Sequence, residues 1–235
     1  MPQLAHASGE VISYLQMCQA WSTSFQRGMN FRLRPDSSVI LMSRRANAPY
    51  KDRILEDGRA LIYEGHDVSR TSLNTNPKLV DQHRKTPGGK LTQNGMFEAA
   101  ALSAKHGKTS PELVAVYEKI HTGIWAFNGF FRLTDAWTEY DGQRKVFKFR
   151  LELFESVTEL QAQAQGELPH SRLIPSAVKV EVWTRDNGQC VICGARENLH
   201  FDHDLPYSKG GSSLVAANIR LLCAKHNLSK GSKIQ

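Results

Sequence analysis

Between residues 11 and 25 apolar positions recur at near-helical intervals, at Val11, Tyr14, Leu15, Cys18 and Trp21, and this spacing predicts an amphipathic helix. The β-branched run 38–42 and the run 60–65 predict two strands joined by a long polar loop that carries Tyr50 and Asp52. Such a loop is longer than a connection needs, and long loops in compact domains are often functional. Residues 70–89 are rich in Thr, Asn, Pro, Lys and Gly without a sustained period, which predicts an exposed basic loop. A helix comes next over 91–106, with Thr92 as its cap, Met96, Phe97, Ala100 and Ala101 on its buried side and Gly107 as its stop. Residues 111–119 form a second short helix candidate. After Gly123 apolar and polar residues alternate on both sides of Asp141-Gly142, which predicts a β-hairpin.

The acidic, Gln-rich stretch 155–172 has no hydrophobic face and reads as a linker. Pro175 then opens a helix to about Asp186, with Val178, Val182 and Trp183 spaced to pack against the C-terminal segment of the chain. Residues 199–206 read as a strand entering a loop, a Gly-Gly turn reverses the chain, and a last helix begins near Leu222. Together these elements predict an α+β protein: a curved sheet or barrel with helices over 1–154, a linker over 155–172 and a small module over 173–235.

Composition narrows the function. No run approaches the roughly 18 apolar residues of a membrane span, and the first ten residues lack the features of a signal peptide, so a cytoplasmic protein is expected. The formal net charge is +7, and residues 171–235 carry nine Lys+Arg against five Asp+Glu, so +4 of the excess lies in about a quarter of the chain. That balance suits a polyanionic partner without requiring one.

The concentration of charge coincides with the chain's most specific pattern. Cys190 and Cys193 form a CxxC pair, and Cys223 and His226 a CxxH pair some thirty residues later. Two close pairs separated by a loop that can fold back are what a tetrahedral zinc site needs, and a redox dithiol would leave the CxxH pair unexplained. A module of about sixty residues also has a small core that a metal would staple. Of the four cysteines, only Cys18 lies outside this set, as a candidate core thiol, so no disulfide framework remains. Asp202, His203, Asn218 and Asn227 are left over for chemistry.

The order CxxC, DHxxP, KGG, NxxxLC and CxxHNxxKG over residues 175–233 resembles the HNH (ββα-metal) nuclease family. That resemblance implies His203 as general base, Asp202 and Asn227 as ligands of a catalytic divalent ion (Mg2+ or Mn2+), and Asn218 as the residue that orients the His203 region. Arg220 and Lys230 are candidate phosphate contacts, and strand alternation sets His200 on the face opposite His203 as a structural residue. Residues 38–153 resemble the SRA (YDG) family of the PUA-like fold. The resemblance rests on SVILM, a Tyr followed by acidic residues, KLTQN before a helix, and WAFNGFFRLTDAW with RKVFKFRLEL. Phe127-Asn128-Gly129 stands where the family's naming tripeptide would be.

This second resemblance implies a pocket for a modified cytosine flipped out of double-stranded DNA, with Tyr50 and Tyr63 as the two rings and Asp52 as the carboxylate. Glu56 or Asp57 are alternatives for that carboxylate. The combined expectation is an enzyme similar to type IV modification-dependent restriction endonucleases, with structural zinc. A nuclease that reads unmodified DNA and a binding module with a silent nuclease unit are the competing readings. Since one such site cuts one strand, a homodimer is expected.

Overall fold

The computed structural model describes residues 6–45, 48–55, 58–69, 76–154, 173–205 and 211–230. Ten strands form one hydrogen-bonded sheet. They are β1 (Glu10–Ser13), β2 (Met29–Arg34), β3 (Ser37–Met42), β4 (Arg53–Leu55), β5 (Ala60–Glu64), β6 (Glu112–His121), β7 (Ile124–Tyr140), β8 (Lys145–Leu153), β9 (Leu199–His203) and β10 (Ile219–Cys223). Among the described residues four helices pack on it: α1 (Tyr14–Trp21), α2 (Gln93–Lys105), α3 (Ser176–Arg185) and α4 (Ala224–Lys230). The main path runs β10-β9-β1-β7-β6-β3-β2, and β8 extends from β7 to β5 and β4. Long β7 carries this branching, because its first residues pair with β1 and its later ones with β8.

Local chemistry explains the elements that match expectation. Thr92 accepts from Gly95 N at the start of α2, whose Phe97 and Ala101 are buried against Val114, Phe131, Phe149 and Leu151. At the β7–β8 turn Asp141 Oδ1 accepts from the N–H groups of Gln143 and Arg144, and Gly142 takes φ of 104°, a backbone that glycine tolerates best.

Three expectations are corrected. Residues 11–13 are strand rather than helix, because β1 is hydrogen-bonded on both edges, to β7 and to β9. The helix starts at Tyr14, where Ser13 and Gln16 form a capping box. Residues 112–119 belong to β6, not to a helix. Val114 and Val116 face the α2 core, while Ala115 and Tyr117 face a second core with Met17 and Trp21. Burial on both faces removes the polar-apolar alternation by which a strand is recognised. The last helix does not begin at Leu222: Leu222 and Cys223 end β10, paired with His200 and Leu199, and the helix starts at Ala224. Strands β2 and β4 were not expected, and β4 shortens the long polar loop by pairing with β5. The expected linker, 155–172, lies outside the described residues.

Candidate functional site

After α3 the chain turns tightly: Gly194, at φ of 75°, donates to the Cys190 carbonyl, and Cys190 N donates to Ala195 O at 2.7 Å. This turn presents Cys190 and Cys193 to Cys223, the last residue of β10, and to His226 in α4. The four ligand atoms lie within 4.8 Å of one another. His226 Nδ1 is 3.4 Å from Cys190 Sγ and 3.3 Å from Cys223 Sγ, and the Cys193 and Cys223 sulfurs are 3.8 Å apart. Tetrahedral zinc bonds would set edges of about 3.8 Å between sulfurs and about 3.6 Å between sulfur and nitrogen, so the residues present fit that ion. Burial would raise the Cys190 thiol, but N–H groups of Cys223, Cys193 and Ile192, with His226, outweigh it and bring the thiol down to about 6. A thiolate at neutral pH is the form a metal requires.

The strands and helix that supply this set also carry the other polar residues. Antiparallel β9 and β10 set Ile219 opposite His203 and Arg220 opposite Asp202. Asn218, just before β10, accepts from Leu205 N at 2.8 Å and donates to the carbonyls of Leu205 (3.0 Å) and Ser212 (3.1 Å). It therefore ties Leu205 to Ser212; residues 206–210 lie outside the described residues. His203 Nε2 is 2.7 Å from Ser213 Oγ, and burial lowers the imidazole pKa from its ordinary 6.5, with Asp202 opposing and Lys230 adding to the shift. Asn227 is half-buried on α4, one residue beyond His226.

Lys230, expected as a phosphate contact, is corrected. The residue is 2% exposed and its ammonium donates to Asp202 Oδ2 and to the His203 carbonyl. Arg220 forms an ion pair with Asp204 at 2.7 Å. His200 sits opposite Glu10 in the β1–β9 pairing, half-buried and away from His203 along the alternation of β9.

Oxygens of Asp202 and His203 thus gather around the Lys230 ammonium, and no hydrogen bond of the Asn227 amide joins them among the described residues. Among the described residues the Cys3His set is the one group of three or more His, Cys, Asp or Glu side chains close enough to hold a metal.

Across the sheet, a cavity of about 580 Å³ is lined by Tyr50, Asp52 and Tyr63 together with Arg27, Met42 and Trp125. Asp52, 8% exposed, accepts from Glu64 N at 3.0 Å and Ser43 N at 3.3 Å. Burial pushes its carboxyl up to about 7, the two N–H groups pull against this, Glu64 adds to it and Lys148 opposes it. Behind Asp52, Glu64 is buried on Lys148 Nζ at 2.9 Å. Tyr63 is a core residue as well as a cavity residue: it is 2% exposed and its hydroxyl donates to Leu41 O at 3.4 Å. Tyr50 is half-buried, with Lys78 Nζ 4.0 Å from its ring centroid and Asp67 N donating to its hydroxyl at 3.4 Å. Glu56 and Asp57, the alternative carboxylates, lie outside the described residues. A second cavity of about 750 Å³ shares Gln26, Arg27, Gly28 and Tyr50 with the first.

Sequence reasoning missed the residues that hold Tyr50. Lys78 lies in the stretch read as a basic loop, and its ammonium pairs with Asp67 at 2.9 Å. Arg144, buried, bonds Asp67 at 2.6 Å and the Pro77 carbonyl at 2.7 Å. The one local signal was the Asn76-Pro77 step, at which Asn76 caps a 3₁₀ turn over Pro77–Leu79.

No protein-family model matches the sequence, and no curated protein does. Among solved structures, the chain is similar to the SUVH5 SRA domain in complex with hemimethylated CG DNA, at 18% identity over 65% of this chain and 91% of that one, with a TM-score of 0.45. It is similar to the same domain bound to fully hydroxymethylated CG DNA, at 16% identity over 66% and 93%, with a TM-score of 0.46. A third similarity is to KRYPTONITE in complex with mCHG DNA and SAH, at 15% identity over 63% of this chain and 32% of that one, with a TM-score of 0.40.

Proposed function

We propose that this chain is a modification-dependent DNA endonuclease, which holds a flipped modified cytosine in the cavity of Tyr50, Asp52 and Tyr63 and hydrolyses a phosphodiester at Asp202 and His203. The observation that carries the proposal is the ββα unit: the Asp202-His203 step ends β9, the partner strand β10 ends on one of the four Cys3His ligand residues, the helix directly after it bears a second, and Asn218 is bonded to Leu205 beside His203. His203, kept neutral by burial, would take a proton from water as that water attacks phosphorus. The phosphorus–oxygen bond to the departing sugar oxygen then breaks, and that oxygen is protonated from solvent. A divalent ion held by Asp202 and Asn227 would supply stabilisation of the charge on the phosphate oxygens. Lys230 would orient Asp202 and the His203 backbone.

In the cavity, base extrusion costs a few kcal/mol, and stacking on an aromatic ring offsets about 1–3 kcal/mol of it. Asp52 would accept from the exocyclic amine of cytosine. Near neutral pH its carboxyl is partly protonated and can also donate, a match to the adjacent ring nitrogen. The second cavity, which shares Tyr50 and Arg27, offers space for the flanking strand.

A second reading, a nuclease that recognises unmodified DNA, is favoured by one observation: Tyr63 is 2% exposed and offers little ring face to a base. One experiment decides. Incubated with Mg2+ or Mn2+ and matched plasmids with and without cytosine modification, the protein should cut only the modified plasmid. Equal cutting supports the second reading, and absence of cutting from both sinks the endonuclease.

A further inference from the structure

The base cavity and the Cys3His module come from opposite ends of the chain, yet they share a sheet. Strand β9 pairs with β1 through Glu10 opposite His200 and Val11 opposite Leu199. Gly9 extends the seam, since its carbonyl accepts from Phe201 N at 3.0 Å while its N–H donates to Phe127 O at 2.8 Å. Under this seam Val11, Ile120 and Ala126 are buried in one cluster with Val178, Val182 and Leu222. Leu173 N also bonds Gly58 O at 3.3 Å, so the chain is anchored to the first core before α3 begins.

At the centre of the seam lies a buried polar network. Lys179 of α3 is 2% exposed and donates to Glu118 Oε2 at 2.7 Å and to Asn128 Oδ1. Glu118, fully buried on β6, also accepts from Ser176 and from Asn128 Nδ2. That same Asn128 nitrogen is 3.9 Å from Met42 Sδ, and Met42 lines the base cavity, as do Lys119 beside Glu118 and Trp125 on β7. The ammonium that fixes α3 is therefore one residue away from the cavity wall.

We infer that the base cavity and the ββα module are one rigid body, with Lys179 as the positioning residue that locks them, so that the cut falls at a fixed distance from the base that is read. This rests on the endonuclease reading. If 155–172 alone tethered the module, about eighteen flexible residues would span about 23 Å, at 5–6 Å times the square root of length. At 3.4 Å per nucleotide that reach would scatter cuts over roughly seven positions. A sheet seam that Lys179 holds closed permits no such scatter.

The test uses end-labelled DNA with a single modified cytosine. Lengthening 155–172 by about twelve Gly/Ser residues should leave the cut position unchanged to within one nucleotide, and a shifted or broadened ladder overturns the rigid body. Lys179→Met, assayed at a temperature where its circular dichroism shows it folded, should spread the cuts over several positions while total cleavage persists. A folded Lys179→Met enzyme that still cuts at the single wild-type position overturns the role given to Lys179. A third arm needs no cleavage of DNA and so separates this inference from the endonuclease reading. A protease site placed within 155–172 is cut, and the two fragments should co-elute on gel filtration and unfold in one transition. Separate elution overturns the inference even if the protein is a nuclease.

Discussion

At His203 the burial that lowers the imidazole pKa below 6.5 also decides how cleavage depends on pH. A general base must be unprotonated, so the acid limb of the cleavage profile should fall below pH 6.5; a limb well above that value would show another group is titrating. Replacing His203 by Ala should lower cleavage by about 10²–10⁴-fold with zinc content and DNA binding retained, measured on the same preparation. Asp52 makes the opposite kind of prediction. Its folded carboxyl sits at about 7 against an ordinary 3.8, so its contribution to stability is full below 3.8 and is lost as pH rises towards 7. A shift of about three units corresponds to about 4 kcal/mol at most. Asp52→Asn should therefore flatten the decline in urea-unfolding free energy between about pH 4 and 7, and an unchanged slope would remove Asp52 as its source. That Tyr50, Asp52 and Tyr63 line one cavity was legible in the chain through a family resemblance. Lys78 and Arg144, which hold Tyr50, were not, because their partners Asp67 and Pro77 reach them only through the fold.

Among the elements, those written locally were readable. Thr92 and a single buried face specify α2, and Asp141-Gly142 specifies the β7–β8 hairpin. Strand β6 was misread because its two faces enter two different cores, and β1 because four residues beside a helix carry no period of their own. For β9, β10 and α4 the sequence specified the ligands before it specified the strands. Their dependence on the Cys3His set can be measured by hydrogen exchange with and without a zinc chelator. Chelation should strip protection from Phe201, Leu221 and Leu222 while sparing α2 and β8, whose core contains no residue of the Cys3His set. Unchanged protection throughout would mean the four residues hold no structural metal.

For the molecule as a whole, the seam between its two ends is where a small change should have the largest cost. Glu118→Gln leaves the Lys179 ammonium buried without its countercharge, and loss of a single partner from a buried pair costs about 3–5 kcal/mol. Burial alone would raise the Glu118 carboxyl, but Lys179, Ser176 and Asn128 outweigh it and hold it below its ordinary value, so the charged pair is the native state. Denaturant unfolding should show this loss in a single transition, and a cost below about 1 kcal/mol would mean the pair does not secure the seam. The sequence by itself determined the mixed α+β class, the four zinc-type ligands and the order of the Asp-His-Asn set, since spacing, caps and turn residues act over a few positions. Only the tertiary structure decided that Lys230 faces Asp202 instead of solvent, that Asp52 is buried deeply enough to hold a proton near neutrality, and that β1 joins β9. Those outcomes depend on which distant segments exclude water from a given side chain, and no local pattern records that.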